Sequence, residues 1–296
     1  RPSAHVILSN MPAATEQTYL DGWRVRATFQ TTPKMSTYQL NWVIGPFKAI
    51  QLKQRGPPIR VWASIEDVPF AQFALNAAGQ LLPAMGTYFE KEYNTMMPKL
   101  DLVALPFLLS LAEQNWGLLS FRASSLMVKP SSTATQRQNV VQIVSHELCH
   151  QWFGNLVTVD WWDSIWVQEG AASWCARILT QKIYPEYGAW SGSFRIWTLR
   201  QDAVESSIPL IQQVHTPSDI AMMFQKGLVY HKGNFVYTMI RHVVGDKAFH
   251  EGLVDMLKAN AFGCINTGSF INAMTRVAQP NMRINQIVSD YTFKRG

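Results

Sequence analysis

His146-Glu147-Leu148-Cys149-His150, with Glu169 further along the chain, is the stretch whose reading decides the rest. Histidines at i and i+4 stand one above the other on a helix, about one turn apart, so both imidazoles can reach one metal ion. The glutamate between them lies beside that ion and is placed to take a proton from an attacking water. Glu169 offers an anionic oxygen as third ligand. Two His and one Glu with an open fourth position is the pattern of a catalytic zinc site, and a closed structural site would use all four positions for protein. The cofactor expected is a single Zn2+ ion, and the chemistry is hydrolysis, most readily of peptides.

The flanking sequence agrees. Val140, Val141, Ile143 and Val144 recur at helical spacing before the motif, and Trp152 and Phe153 follow it, which predicts a mostly buried helix. A second helix is predicted over Asp163 to Trp174, with Asp163 or Ser164 as N-cap and Trp166, Gly170 or Ala171, and Trp174 on its buried face. Glu169 would then be a carboxylate in apolar company, which needs a cation. The plainer alternative is two hydrogen-bonded core histidines and a capping glutamate. The agreement of three ligand types with their spacing favours the metal.

The run from His146 through Gln-Trp-Phe-Gly-Asn-Leu-Val-Thr-Val-Asp-Trp-Trp-Asp-Ser-Ile-Trp-Val-Gln to Glu169-Gly170 closely resembles the zinc signature of the aminopeptidase N family of metallopeptidases. Thr32 to Tyr38, Pro98 to Pro106, Asn115-Trp-Gly-Leu118, Val229-Tyr-His-Lys-Gly233 and Gly245 to Phe249 resemble further family landmarks in the family's order, over nearly the whole chain. The resemblance implies that His146, His150 and Glu169 bind zinc and that Glu147 is the general base. It also implies that Tyr230 hydrogen-bonds the tetrahedral oxyanion; by its residues alone Tyr230 reads as a packing tyrosine in a loop before a helix. Ala112, Gln114, Asn115 and Gly117 fall where the family holds its peptide substrate.

One departure bears on specificity. The family's Gly-Ala-Met-Glu-Asn segment reads Leu111-Ala112-Glu113-Gln114-Asn115 here. The family glutamate pairs with the substrate's free α-ammonium, and Gln114 brings no charge to it. Hydrogen bonds to charged groups contribute about 1.5–3 kcal/mol against about 1 for neutral pairs, so the change is worth roughly one to two powers of ten in affinity for a free amine. Glu113, next door on an extended segment, would point to the opposite face. Cys149 stands where the family usually has Ala and reads as a small buried filler. Three functions stay open: an aminopeptidase with weakened recognition of the free amine, a zinc-binding scaffold with impaired catalysis, and a zinc peptidase acting on blocked or internal bonds.

The chain has 296 residues, 47% of them hydrophobic, enough for one large core and a smaller unit. Its net charge of +6 is spread without a basic run, so no nucleic-acid partner is expected. No apolar run reaches the ~18 residues that a membrane span needs, so no membrane contact is expected within these residues. The family implies a cell-surface ectodomain of a membrane-anchored enzyme, with a cytoplasmic enzyme as the alternative. Three cysteines without framework spacing do not suggest a disulfide-held fold.

Trp23, Val25, Ala27 and Phe29 alternate with polar residues, as do Tyr38, Leu40, Trp42 and Ile44. Both read as half-buried strands, forming a hairpin-like pair across Thr31 to Lys34. The expected fold class is α+β, with residues 1–54 the end of an incomplete β-rich domain. Residues 55–296 follow as a mainly helical, thermolysin-like zinc domain by the resemblance. The partners implied are peptide substrates and further domains of the same chain.

Overall fold

Apolar alternation over 25–29 does fold as a strand, but its partner is not the one expected. In this computed structural model, which describes residues 5–19, 24–53, 56–187, 192–225 and 227–295, contacts cluster into two units, Arg1–Gln151 and Trp152–Gly296. In the first unit, β1 (Val6–Ser9), β2 (Ala13–Thr18), β3 (Val25–Phe29) and β4 (Trp42–Gly45) make two separate antiparallel pairs, β1 with β4 and β2 with β3. The hairpin expected between the strands now seen as β3 and β4 is therefore replaced by a local β2–β3 hairpin and a long-range β1–β4 pairing. Trp23 lies outside the described residues. A 3-10 turn at Thr37–Gln39 interrupts the second alternation. The phase of β4 is also inverted: Val43 is buried while Trp42 and Ile44 are 63% and 56% exposed. Val43 packs with Leu8, Phe47, Val103 and Leu118, and this cluster decides which face turns inward.

β5 (Lys48–Gln51) and β6 (Ile59–Ala63) lead to α1 (Gln72–Tyr88), β7 (Leu100–Leu105), β8 (Ala112–Glu113), β9 (Leu118–Arg122), α2 (Ala123–Leu126) and α3 (Ala134–Cys149). One five-stranded sheet runs β5-β6-β7-β9-β8. Its three central strands are parallel and its two edge strands antiparallel. β7 and β9 are buried almost throughout, as parallel strands covered on both faces should be. The proposed boundary at 54/55 falls on residues outside the described set, and β5 before it pairs with β6 after it. α1 packs against both β6 and α3.

The second unit contains β10 (Val157–Val159), α4 (Ile165–Ile183), α5 (Gly192–Asp202), α6 (Pro217–Gln225), α7 (Leu228–Val244), α8 (Asp246–Ala259), β11 (Gly263–Ile265), α9 (Thr267–Val277) and α10 (Ile284–Thr292). With these helices following the strands, the fold class is α+β. α4 is the central helix: every residue from Ile165 to Ala176 is buried. A helix apolar all round has to be enclosed by others. α7 lies along it in the same direction, since Ile165 shares a cluster with Val229, the Tyr237 hydroxyl donates to the Val167 carbonyl (2.8 Å) and Arg177 donates to Thr238 Oγ1 (2.9 Å). Trp166, Trp174, Tyr237, Phe249 and Phe270 complete an aromatic core with mostly edge-on contacts. Among the described residues no helix is long and apolar enough to cross a membrane.

Candidate metal centre

α3 begins with a reciprocal cap. Thr133 Oγ1 accepts from the Gln136 N–H (3.2 Å) and Gln136 Oε1 accepts from the Thr133 N–H (2.7 Å). Val140, Val141, Val144 and Leu148 bury one side of the helix. This fixes the opposite side, where His146 and His150 stand a turn apart. Their Nε2 atoms are 3.0 Å from each other, with rings nearly perpendicular at 85°. Two imidazole nitrogens this close hold lone pair against lone pair unless a proton or a cation lies between them. Candidate ligand atoms of His146, His150 and Glu169 all lie within 4.8 Å of one another. His150 and Glu169 are 1% and 3% exposed. Two imidazoles and a carboxylate are a donor set that zinc takes. Glu147 is also buried and lies outside that trio of ligands.

Four further residues singled out in the sequence lie on one segment. Ala112 is on β8, the edge strand, opposite Phe121, and β8 packs alongside α3. Glu113 is exposed and accepts from Ser110 Oγ (2.6 Å), while Gln114 is half-buried. Asn115 is held from both ends: its Nδ2 donates to the Tyr38 carbonyl (3.3 Å) and its Oδ1 accepts from Asn41 (3.1 Å). Gly117 is buried with φ of +78°, and a Cβ there would meet the Asn10 carbonyl oxygen at 2.6 Å. Its N–H donates to Gln151 Oε1 and its carbonyl accepts from Lys99 Nζ, so glycine is required here by backbone shape and close packing. Tyr230 lies in the first turn of α7, half-buried, its ring 6.0 Å from that of Phe224. The loop position that its sequence suggested is thus a helix start.

Residues 73–291 match the profile of the peptidase family M1 domain. The chain belongs to peptidase family M1. It is 34% identical to human (Homo sapiens) endoplasmic reticulum aminopeptidase 2 over 87% of this chain and 27% of that protein. Over its full length it is 31% identical to aminopeptidase M1 of Arabidopsis thaliana, covering 33% of it. A probable aminopeptidase 1 of Saccharolobus solfataricus is 32% identical over 98% of this chain and 37% of the relative. The M1 chain thus spans 27% to 37% of the length of these relatives.

Some residues that organise this M1 site are silent in the sequence. Gln151, fully buried, donates to the Glu147 carbonyl and accepts from the Gly117 N–H, tying the last turn of α3 to the 115–117 segment. Asn41 Nδ2 spans Asn115, Leu118 and Ser120. Asn10 Nδ2 donates to the Gln39 and Trp116 carbonyls. Each is an amide among apolar neighbours, but nothing local distinguishes it from a surface residue.

Proposed function

We propose that this chain carries the centre of a zinc-dependent aminopeptidase that hydrolyses the N-terminal peptide bond of peptides. His146, His150 and Glu169 hold one Zn2+ ion, Glu147 is the general base and Tyr230 the oxyanion donor. The observation that carries this reading is the approach of His146, His150 and Glu169 to within 4.8 Å, with Glu147 on the same helix. When bound, zinc supplies Lewis acidity toward the scissile carbonyl and lowers the pKa of water. Glu147, nearly dehydrated, takes the proton of the attacking water and returns it to the leaving amine. Tyr230 donates a hydrogen bond to the oxygen where charge develops. Ala112, on an edge strand, presents backbone groups to an extended peptide, with Gln114 and Asn115 beside it. Gly117 lets that segment turn tightly. Residues 55–296 form the thermolysin-like catalytic part and residues 1–54 belong to a β-rich domain.

Glu147→Gln in the protein that carries this sequence tests the assignment. Peptide hydrolysis should fall by at least about 100-fold, the lower end for loss of a general base, while zinc content per chain stays as in the parent. Retained turnover with zinc bound removes Glu147 from the role. A second reading rests on Gln114, whose neutral amide makes no demand for an ammonium: the enzyme then also cleaves blocked or internal bonds.

A further inference from the structure

Glycine inside a helix weakens it, so two of them facing each other in packed helices call for a packing reason. Gly170 immediately follows Glu169 in α4, and Gly233 lies three residues after Tyr230 in α7. A Cβ built on Gly170 would stand 2.9 Å from the carbonyl carbon of Gly233. One built on Gly233 would stand 2.9 Å from Gly170 Cα and 3.2 Å from the Trp166 carbonyl oxygen. The two backbones therefore touch, with no side chain between them. Residues three apart share a helix face, so the face of α7 bearing Tyr230 is the one turned toward α4. Tyr230 packs in the same cluster as Ile165 and Val229. One turn beyond the glycine contact, the Tyr237 hydroxyl donates to the Val167 carbonyl at 2.8 Å and pins the register of the two helices.

We propose that the Gly170–Gly233 contact sets how far the Tyr230 hydroxyl stands from the oxygen it serves, making both glycines positioning residues of the reaction. This rests on the reading of Glu169 as ligand and Tyr230 as oxyanion donor. Adding a methyl group to either glycine has to push the two backbones apart, because the atoms it meets are main chain and cannot swing away. Glu169 moves with α4 and stays with its partners on the metal. Tyr230 moves with α7 and is carried off. The consequence is a loss in the transition state with little change in metal or ground-state binding.

Gly233→Ala, Tyr230→Phe and the double variant are compared in the protein that carries this sequence. The readouts are kcat and KM on a free-amine peptide, the inhibition constant of a phosphinic peptide whose tetrahedral oxygen mimics the oxyanion, zinc content and the thermal midpoint. Displacement of a catalytic group by about 1 Å costs on the order of 100-fold, so kcat for Gly233→Ala should fall by about 10- to 100-fold. The phosphinic peptide should weaken in step, with KM and zinc content unchanged. In the Tyr230→Phe background the same glycine change should cost no more than about twofold, because coupled groups fail together. An equal loss in both backgrounds overturns the proposal and leaves the contact purely structural. Unchanged kcat in Tyr230→Phe alone overturns it at its foundation, a result distinct from the first. Should Gly233→Ala fail to fold, Tyr237→Phe loosens the same crossing without adding an atom. It must then lower kcat in the Tyr230 background and not in the Phe background.

Discussion

In the proposed reading, Gln114 is the residue on which substrate choice turns. It sits half-buried at the end of the edge strand, one position beyond an exposed Glu113 that is already engaged by Ser110. By that reading a carboxylate at 114 would pair with the substrate's ammonium. Gln114→Glu should therefore raise kcat/KM for a free-amine peptide relative to its N-acetylated twin by roughly 10- to 100-fold, the worth of converting a neutral hydrogen bond to a charged one. An unchanged ratio would show that the amine is read elsewhere. At this scale the sequence is informative where spacing is local. The nearness of His146 and His150 is helix arithmetic, and Glu169 follows from a second apolar-faced helix. Gln151, Asn41 and Asn10 escape such reading because their partners lie far along the chain, joined only by folding.

Among the elements, α3 carries His146 and Glu147 with His150 at its C-cap, and its own start is secured by a device independent of them. The Thr133–Gln136 box satisfies two N–H groups that would otherwise have no helical partner. Thr133→Ala should lower stability by about 1 kcal/mol, read as a shift in the urea midpoint at constant slope, while Thr133→Ser stays near the parent. Equal midpoints for Ala and Thr would mean that tertiary packing alone holds this end. Helices with caps and 3.6-residue periodicity are the elements the sequence reveals. β7 and β9 are not, because strands buried on both faces read as continuous apolar runs, indistinguishable from a buried helix by period. β4 fails differently: its alternation is real, but which face turns inward depends on Leu8 and Val103, distant in sequence.

At the scale of the whole molecule, a cluster of charges joins β6 and the start of β7 in the first unit. Asp101, 1% exposed, accepts from Arg60 (2.6 and 2.9 Å) and from Trp62 Nε1 (2.9 Å), and it pairs with Lys99 at 2.8 Å. Lys99 also donates to the Ser9 and Gly117 carbonyls. Beside them the buried Tyr93 hydroxyl donates to the Lys99 carbonyl at 2.9 Å. Burial, and then the negative charge of Asp101, hold the Tyr93 phenol well above its ordinary value of 10.0. Burial also lowers Lys99 from 10.5, against the pull of Asp101. A phenol raised in the folded state keeps its proton after the unfolded chain has lost it, so its contribution is full below pH 10 and declines as pH climbs toward the folded value. The lowered lysine acts the other way, but only between its folded value and 10.5; above that it adds no slope. Stability should therefore fall as pH rises past 10.5, and Tyr93→Phe should flatten that fall while costing about 1 kcal/mol at neutral pH for the lost hydrogen bond. Urea midpoints of parent and variant from pH 7 to 11.5 decide the matter. Parallel curves above pH 10.5 would show that Tyr93 is not the group whose ionisation the fold resists.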